Sequence, residues 1–338
     1  MECMETMTGS DRRLIESLLS SEEPSIRWKI RTGVLGEDPS SARIRRLREE
    51  IRDSTTVKTL LDGQARVTRG TYAKWQGRHW VLAALADLGY PQGDLALAPI
   101  VEKMLSTWLD PKYFREMVPD SSDVGHSPSA VARINGRYRR CASQQGSALL
   151  SVVRLGIAEQ DAPRLVERLL HWQWPDGGWN CAAKPEARSS SVYETLLPMR
   201  GLAAYARAVE DAVAMEAARK AAEVFLGRRV LFRRTDGRLI RREWAELHYP
   251  VYWHYDVLAG LKGLMEVGLI ADERTQAALD LLESRRLPEG GWPADARFAR
   301  SVGEGQGQEL LEWGPAGSAV MNEWVSADAL AVLHAAGR

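Results

Sequence analysis

Apolar residues recur along the chain in two helical patterns. In the first, they form one narrow stripe on an otherwise charged helix, as in residues 14–19 and 165–170. In the second, nearly every position is apolar, as in residues 79–86, 148–155 and 257–267. A helix with one apolar stripe covers one side of a core, whereas an apolar helix must be enclosed by neighbours. The chain is therefore predicted to be all-α, with half-exposed helices alternating with enclosed ones.

The two kinds of helix alternate in a repeating order. Successive pairs are spaced by roughly 50 to 70 residues, the scale of helical repeat units. Residues 1–53 are expected to supply one more helical repeat or an extension. Because stacked repeats bury one continuous core, residues 1–338 are predicted to form a single domain. The five predicted pairs are a helix ending near residue 63 with 75–89, 98–109 with 145–156, 162–172 with 192–208, 212–226 with 251–268, and 273–286 with 322–334.

Two segments that each join a half-exposed helix to an enclosed one are near copies. Residues 174–179 read Trp-Pro-Asp-Gly-Gly-Trp, and residues 287–292 read Leu-Pro-Glu-Gly-Gly-Trp. Proline ends the preceding helix, the glycines allow a tight turn, and the tryptophan is predicted to pack back onto the helical pair. Signals for β-strands are rare; the plausible pair is 230–232 with 239–241, joined across an Asp-Gly turn.

A helix, an acidic-Gly-Gly-Trp turn and an enclosed helix together resemble the repeat of squalene cyclases and of protein prenyltransferase β-subunits. The resemblance covers most of the chain and implies an (α/α) toroid or barrel of about five to six helical hairpins. It also implies a central cavity for a hydrophobic molecule such as an isoprenoid. The sequence has neither the Asp-x-Asp-Asp motif of the cyclases nor the Asp-x-Cys pair of the transferases. The resemblance therefore indicates a fold more than a reaction.

Composition narrows the range of partners. The 338 residues carry 45 basic and 45 acidic side chains, which gives no reason to expect nucleic acid or an anionic membrane as a partner. No apolar run approaches the roughly 20 residues that span a bilayer, and the N-terminus lacks the apolar stretch of a secretory signal. Three cysteines are too few for a disulfide framework, so a cytoplasmic location is expected. The oligomeric state is left open.

Residues 248–256 carry the leading candidate for a site. With Pro250 as the first residue of a helix, Tyr249, Tyr252, Trp253 and Asp256 would follow one another along one helical face. Buried against aromatic rings, Asp256 would have a raised pKa and act as a general acid. In the alternative interpretation Asp256 makes a structural hydrogen bond.

Four other side chains complete the predicted pocket. His254 is the second catalytic candidate. Trp75, Arg78 and Cys141 are predicted to line the cavity and bind the substrate. This interpretation requires neither a cofactor nor a metal ion.

Zinc is the alternative use of the cysteines. Cys141 and Cys181 each precede an enclosed helix, and His254 or Asp256 would complete a set of zinc ligands. No Cys-x-x-Cys spacing fixes two ligands locally, however, and a free cysteine is often a buried small hydrophobe.

Two further polar features lie near the second and third enclosed helices. Four arginines between residues 133 and 140 are able to bind a phosphate or carboxylate, although a solvated loop is the favoured interpretation. Glu194 follows Ser191 at the spacing of a capping box, so it is predicted to satisfy N–H groups at a helix start.

Three functions remain open at this point. The first is a cyclase or isomerase that uses acid catalysis on a hydrophobic small molecule in the toroid cavity. The second is a zinc-dependent transferase that acts on a small molecule or a peptide. The third is a non-catalytic toroid that binds a protein or a peptide.

Overall fold

The computed structural model describes residues 9–117, 131–303 and 305–338. Helices dominate these ranges, which confirms the predicted all-α character. The α-helices are α1 (Gly9–Leu19), α2 (Pro24–Gly33), α3 (Ala42–Arg52), α4 (Thr55–Arg66), α5 (Arg78–Leu88), α6 (Ala98–Trp108), α7 (Ala142–Leu155), α8 (Ala162–Trp172), α9 (Val192–Val209), α10 (Ala212–Leu226), α11 (Val257–Val267), α12 (Gln276–Ser284) and α13 (Glu323–Ala335). Single 3₁₀ turns are Leu95–Leu97, Pro111–Tyr113, Glu159–Asp161, Arg242–Ala245 and Glu273–Thr275.

A small three-stranded sheet interrupts the helices. Strand β1 (Glu116–Met117) pairs parallel to β2 (Val131–Ile134), which pairs antiparallel to β3 (Arg137–Arg139). Asn135 and Gly136 form the two-residue turn, both with positive φ, and Asn-Gly is the sequence that such turns favour. The sequence prediction missed this hairpin. The hairpin that it did propose is present as one antiparallel bridge between Phe232 and Leu239.

The chain divides into two compact units. The first unit comprises residues 1–91, 229–252 and 256–338, and the second comprises 92–228 and 253–255. Helices α1 to α5 and α11 to α13 therefore belong to the first unit, and α6 to α10 to the second. Residues 9–53 are helical, as predicted for the N-terminal segment, and lie in the first unit. The single-domain organisation stays a prediction.

Both predicted kinds of helix are present. Helices α1 and α8 each bury one stripe, residues 14, 15 and 18 in α1 and chiefly 165, 166 and 169 in α8. Helices α7 and α11 bury most of their positions. The helix starts follow from local chemistry, because Ser41, Ser54 and Asp211 each accept a backbone N–H of the first turn. Gly89 and Gly268 end α5 and α11 in the left-handed conformation that glycine adopts without strain.

The two Gly-Gly-Trp turns place their tryptophans in the same way, one in each unit. Trp179 is fully buried and donates its indole N–H to Leu169 O of α8 (2.9 Å). Trp292 is fully buried and donates its indole N–H to Leu282 O of α12 (2.7 Å). Each ring therefore fills the space beside the preceding helix while its polar N–H is satisfied. The predicted packing of both tryptophans is confirmed.

The same turns also hold the start of the following helix. Trp179 donates its backbone N–H to Thr195 Oγ1 of α9 (3.2 Å), and Trp292 donates its own to Ser326 Oγ of α13 (2.8 Å). A Cβ on Gly177 would lie 2.1 Å from Lys220 O, so only glycine fits at this place in the second unit. Each turn thus connects the end of one helix to the first turns of the next.

Four charged side chains from four helices form a closed ring in the first unit. Lys29 of α2 donates to Asp87 Oδ2 (2.7 Å) and Asp328 Oδ1 (3.0 Å). Lys262 of α11 donates to Asp87 Oδ1 (3.0 Å) and Asp328 Oδ2 (2.6 Å). Burial acts to lower the pKa of Lys29, but the Asp328 and Asp87 carboxylates raise it to about 12. Every carboxylate oxygen accepts from an ammonium group, so the ring joins α2, α5, α11 and α13.

We predict that Asp328→Asn lowers the free energy of unfolding by about 3 kcal/mol at neutral pH, because it leaves the buried Lys29 and the half-buried Lys262 ammonium groups with one carboxylate between them. Denaturant unfolding measures this loss. Asp280→Asn on α12 is the matched control, since Asp280 is exposed and its ion pair with Arg338 contributes less than about 1 kcal/mol. Equal losses in the two variants would contradict a structural role for the ring.

Candidate metal centre

Close contact between α7 and α9 of the second unit prepares the candidate site. A Cβ on Gly146 of α7 would lie 2.3 Å from the backbone nitrogen of Pro198 in α9. A Cβ on Gly201 of α9 would lie 2.6 Å from Gly146 O. Only glycine at both positions lets the two backbones approach this closely. The side chains at the N-terminal ends of α7 and α9 are thereby brought together.

Backbone pairing then places the two cysteines side by side. Arg139, at the end of β3, forms a parallel bridge with Asn180, and Arg140 donates its backbone N–H to Asn180 O (3.2 Å). Cys141 and Cys181 are the next residues on the two segments. Trp174, in the first Gly-Gly-Trp turn, donates its indole N–H to Tyr138 O (2.7 Å) and so ties that turn to β3.

A thiol, a second thiol and a carboxyl group converge at this point. The Cys141 Sγ, the Cys181 Sγ and one Glu194 carboxylate oxygen all lie within 4.8 Å of one another. The Cys181 thiol donates to Glu194 Oε1 (3.3 Å), and Ser143 donates its backbone N–H to Glu194 Oε2 (3.1 Å). All three ligand-bearing residues are half-buried, so the group remains within reach of a small molecule.

The pKa is raised in two of these groups, the Cys181 thiol and the Glu194 carboxyl group. Contact with the Cys141 thiol, burial and the Glu194 carboxylate all raise the pKa of the Cys181 thiol. Burial raises the pKa of the Glu194 carboxyl group, and the Ser143 N–H offsets part of that rise. Three negative charges so close together repel one another, and a divalent cation between them would remove the repulsion.

The donor set fits zinc. At tetrahedral angles, zinc bonds of about 2.3 Å to sulfur and about 2.0 Å to oxygen separate the ligand atoms by about 3.5 to 3.8 Å. The three ligand atoms lie within 4.8 Å of one another, which is close enough for side-chain rotation to bring them around one ion. Two thiolates also disfavour magnesium and calcium, which prefer oxygen ligands.

The prediction for Glu194 was wrong, and so was the predicted third ligand. Ser191 precedes α9 without a side-chain capping bond, and Glu194 instead accepts from Ser143 and Cys181. Within the described residues the one group with metal-ligand spacing contains Glu194, and neither His254 nor Asp256 belongs to it. A Ser-x-x-Glu pattern is compatible with a cap, but the packing of α7 turns the carboxylate toward the cysteines.

The predicted helical face over residues 249–256 is absent. Helix α11 begins at Val257, and Asp256 is the residue before it, with an extended backbone. Its carboxylate is fully buried and accepts the backbone N–H groups of Ala259 (2.8 Å) and His248 (2.9 Å). These contacts match the alternative interpretation, in which Asp256 makes structural hydrogen bonds. An N-cap Asp stands just before the first residue of its helix, so the position of Asp256 also marks the start of α11.

The other residues predicted from this segment have different surroundings. Tyr249 is buried, stacks on Trp324 (5.1 Å between centroids) and donates its hydroxyl to Asp87 Oδ2 of the ion-pair ring (3.0 Å). Trp253 and His254 stack on each other (4.2 Å between centroids) and are assigned to the second unit. The predicted pocket residues are therefore distributed over both units.

Trp75 and Tyr252 are brought together in the first unit, as predicted. Their rings stack with centroids 4.0 Å apart, while Arg78 donates to Thr71 Oγ1 (3.3 Å). The Tyr252 hydroxyl donates to Glu309 Oε1 (2.9 Å), a carboxylate that the sequence prediction missed. Glu309 is 2% exposed, and burial raises its pKa to about 7. Glu309 therefore has the environment that was expected for Asp256.

A surface cleft of about 370 Å³ lies apart from these groups in the first unit. Its walls are largely charged or polar, and it contains none of the predicted site residues. The lining residues are Arg242, Ala245, Glu246, Arg285, Asp295 and Ser318.

Comparison of the sequence with protein-family models and with curated proteins gives no match. Among the described residues, no helix combines the length and apolarity needed to cross a membrane. The site must therefore be interpreted from its own geometry.

We predict that Glu309→Gln makes stability less dependent on pH. Because the folded pKa is raised, folded Glu309 keeps a proton that the unfolded chain has already released between about pH 4.5 and about pH 7. Stability should fall as pH rises through this window, by about 3 kcal/mol in total. The variant should match the parent near pH 5 and exceed it near pH 8 in free energy of unfolding.

Glu289→Gln is the control for that measurement, because Glu289 is an exposed carboxylate of the first unit. The difference in free energy of unfolding between this variant and the parent should be the same near pH 5 and near pH 8. A Glu309→Gln variant with an equally constant difference would show that Glu309 titrates normally.

Proposed function

We propose that the chain is a zinc-dependent enzyme whose metal is held by Cys141, Cys181 and Glu194. The observation that carries the proposal is the convergence of two thiols and one carboxylate from three separate segments. This is the second of the functions predicted from the sequence, with Glu194 as the third ligand.

Three protein ligands are typical of catalytic zinc, because the fourth position stays open for water or substrate, whereas structural zinc is usually closed by four protein ligands. Zinc in such a site supplies a Lewis acid that activates a water or thiol held in the open position. The half-buried state of the ligands supports access from solvent. We therefore propose group transfer or hydrolysis on a small molecule or peptide.

The surrounding contacts support a site with a stable shape. The Ser143 N–H orients Glu194, and the pairing of Arg140 with Asn180 sets the spacing of the two cysteines. Such outer contacts hold metal ligands in place before the ion binds. Both thiols must stay reduced for this role, so a reducing compartment, the cytoplasm, is part of the proposal.

We also propose that the helical pairs are arranged as the (α/α) toroid that the sequence predicts. The equivalent hydrogen bonds of the Trp179 and Trp292 turns support it, because each unit uses the same device to join successive helices. The isoprenoid or other hydrophobic substrate implied by the resemblance remains part of this proposal.

A second candidate function is acid catalysis at Glu309. Its high pKa and its contact with the stacked Tyr252 and Trp75 rings give it the properties first expected of Asp256. Native mass spectrometry of the purified chain distinguishes the candidates. Protein that co-purifies with a hydrocarbon and contains no zinc would favour acid catalysis at Glu309. Protein that contains zinc and no hydrocarbon would favour the zinc-dependent enzyme.

We predict that protein purified without chelator contains about one equivalent of zinc per chain. Cys181→Ser and Glu194→Gln should each lower that content strongly, because each removes one of three ligands. Plasma mass spectrometry measures zinc, and X-ray absorption should find zinc–sulfur distances of about 2.3 Å.

Glu186→Gln is the matched control for Glu194→Gln, since Glu186 is an exposed carboxylate in the loop between Cys181 and α9. This variant should keep its zinc. Less than about a tenth of an equivalent in the parent protein, or equal zinc in all variants, would contradict the site.

A further inference from the structure

Arg140 lies directly beside the Cys141–Cys181–Glu194 group. It follows β3 and is only 7% exposed, with its guanidinium stacked over the Tyr113 ring (4.7 Å to the centroid). Its positive charge acts on both thiols and on the Glu194 carboxylate. Burying a cation costs free energy unless the cation compensates a nearby negative charge.

One edge of this guanidinium has no hydrogen-bond partner. The Nε–H and the Nη2 group of Arg140 are buried and make no hydrogen bond to the described residues. These two nitrogens lie on the same side of the planar group, so their N–H bonds point in parallel. Two parallel donors match the two oxygens of a carboxylate or phosphate. The neighbouring Arg139 donates its Nη2 group to Ala187 O (2.8 Å), while its Nε–H and Nη1 group are also buried without a hydrogen-bond partner among the described residues.

Gln145, on the helix that follows Cys141, is a second unsatisfied polar side chain. It lies on α7 one helical turn after Cys141 and is fully buried. Neither its amide oxygen nor its amide nitrogen has a partner among the described residues. Ser151 on the same helix, in contrast, donates to Ser147 O (2.8 Å). Buried polar groups are normally bonded, and Arg140 and Gln145 stand on either side of Cys141 in the sequence, so both are candidates for binding a ligand at this site.

Charge decides between the two kinds of anion. Two thiolates and one carboxylate carry three negative charges, and one zinc ion together with Arg140 neutralises them. A carboxylate adds a single negative charge to this neutral site, whereas a phosphate adds nearly two. The two oxygens of a carboxylate also lie in one plane and match the parallel N–H groups at the edge of the guanidinium.

We propose that Arg140 and Gln145 bind a carboxylate group of the molecule that is processed at the Cys141–Cys181–Glu194 site. The identification of this molecule as the substrate rests on the proposed zinc-dependent function. Binding of an anion by the unpaired edge of Arg140 does not, whereas the preference for a carboxylate over a phosphate follows from the charge of the zinc-bound site. The substrate class is thus a small molecule or peptide with a free carboxylate near the reacting atom.

Isothermal titration calorimetry with N-acetylglycine tests the proposal on the full chain, with and without added zinc. N-acetylglycinamide is the matched neutral ligand, and inorganic phosphate is the other anion. We expect N-acetylglycine to bind at least about tenfold more tightly than either, which is the contribution of one charge-assisted hydrogen bond. Arg140→Gln should abolish this preference, while Arg133→Gln, an exposed arginine of the same hairpin, should retain it.

Gln145→Met supplies a readout that a structural role would not give. Removing an unpaired buried amide should raise the melting temperature, while the affinity for N-acetylglycine falls. This variant also keeps the test valid if Arg140→Gln fails to fold. A lower melting temperature with unchanged affinity would overturn the role of Gln145.

The inference is overturned if N-acetylglycine and N-acetylglycinamide bind equally, if phosphate binds more tightly, or if Arg140→Gln and Arg133→Gln behave alike. Zinc content measured on the same samples separates this outcome from failure of the proposed function. A zinc-free protein that still prefers N-acetylglycine through Arg140 supports the carboxylate site and removes the metal enzyme. A zinc-bound protein without that preference supports the metal enzyme and removes the carboxylate site.

Discussion

The buried indole N–H of the Gly-Gly-Trp turns is the constraint on which the described structure depends most. Such a ring must fill space beside a helix and still satisfy its N–H, and Trp179 and Trp292 do so with carbonyls at the C-terminal ends of α8 and α12. The same residues then hold the first turn of α9 or α13. In the second unit the turn also orders Trp174 against β3 and places Cys181 just after it. The geometry of the candidate metal centre therefore depends on the turn of residues 174–179, which has a structural role.

Two clusters of ionisable side chains show how packing separates structure from chemistry. In the ring of Lys29, Asp87, Lys262 and Asp328, each carboxylate oxygen accepts from an ammonium group, so the two positive and two negative charges compensate one another. In the Cys141–Cys181–Glu194 group, three acidic side chains face one another and the nearest cation keeps two N–H groups unpaired. The first arrangement is self-sufficient and holds helices together. The second would be completed by the metal ion and the carboxylate that we propose.

The two buried carboxylates of the first unit make a similar contrast. Asp256 accepts two backbone N–H groups and starts α11, which is a structural role. Glu309 accepts from one tyrosine hydroxyl beside stacked rings and has its pKa raised to about 7. Burial alone therefore does not give a carboxyl group a catalytic environment, since the contacts of Asp256 are those of a helix cap. The chemistry predicted for one residue is thus matched by the environment of another.

Local chemistry in the sequence determined the helices, their exposed and enclosed faces and the two Gly-Gly-Trp turns, because periodicity, capping and turn residues act over a few positions. It also indicated that Cys141 and Cys181 belong to one region and that Trp75 lies near Tyr252. Only the tertiary structure decided that Glu194 joins the cysteines, since the approach of α7 and α9 through Gly146 and Gly201 turns that side chain. It also decided that the Nε and Nη2 groups of Arg140 and the side-chain amide of Gln145 are buried without hydrogen-bond partners among the described residues. Which side chains meet across helices depends on packing between segments far apart in the chain, and no local pattern encodes it.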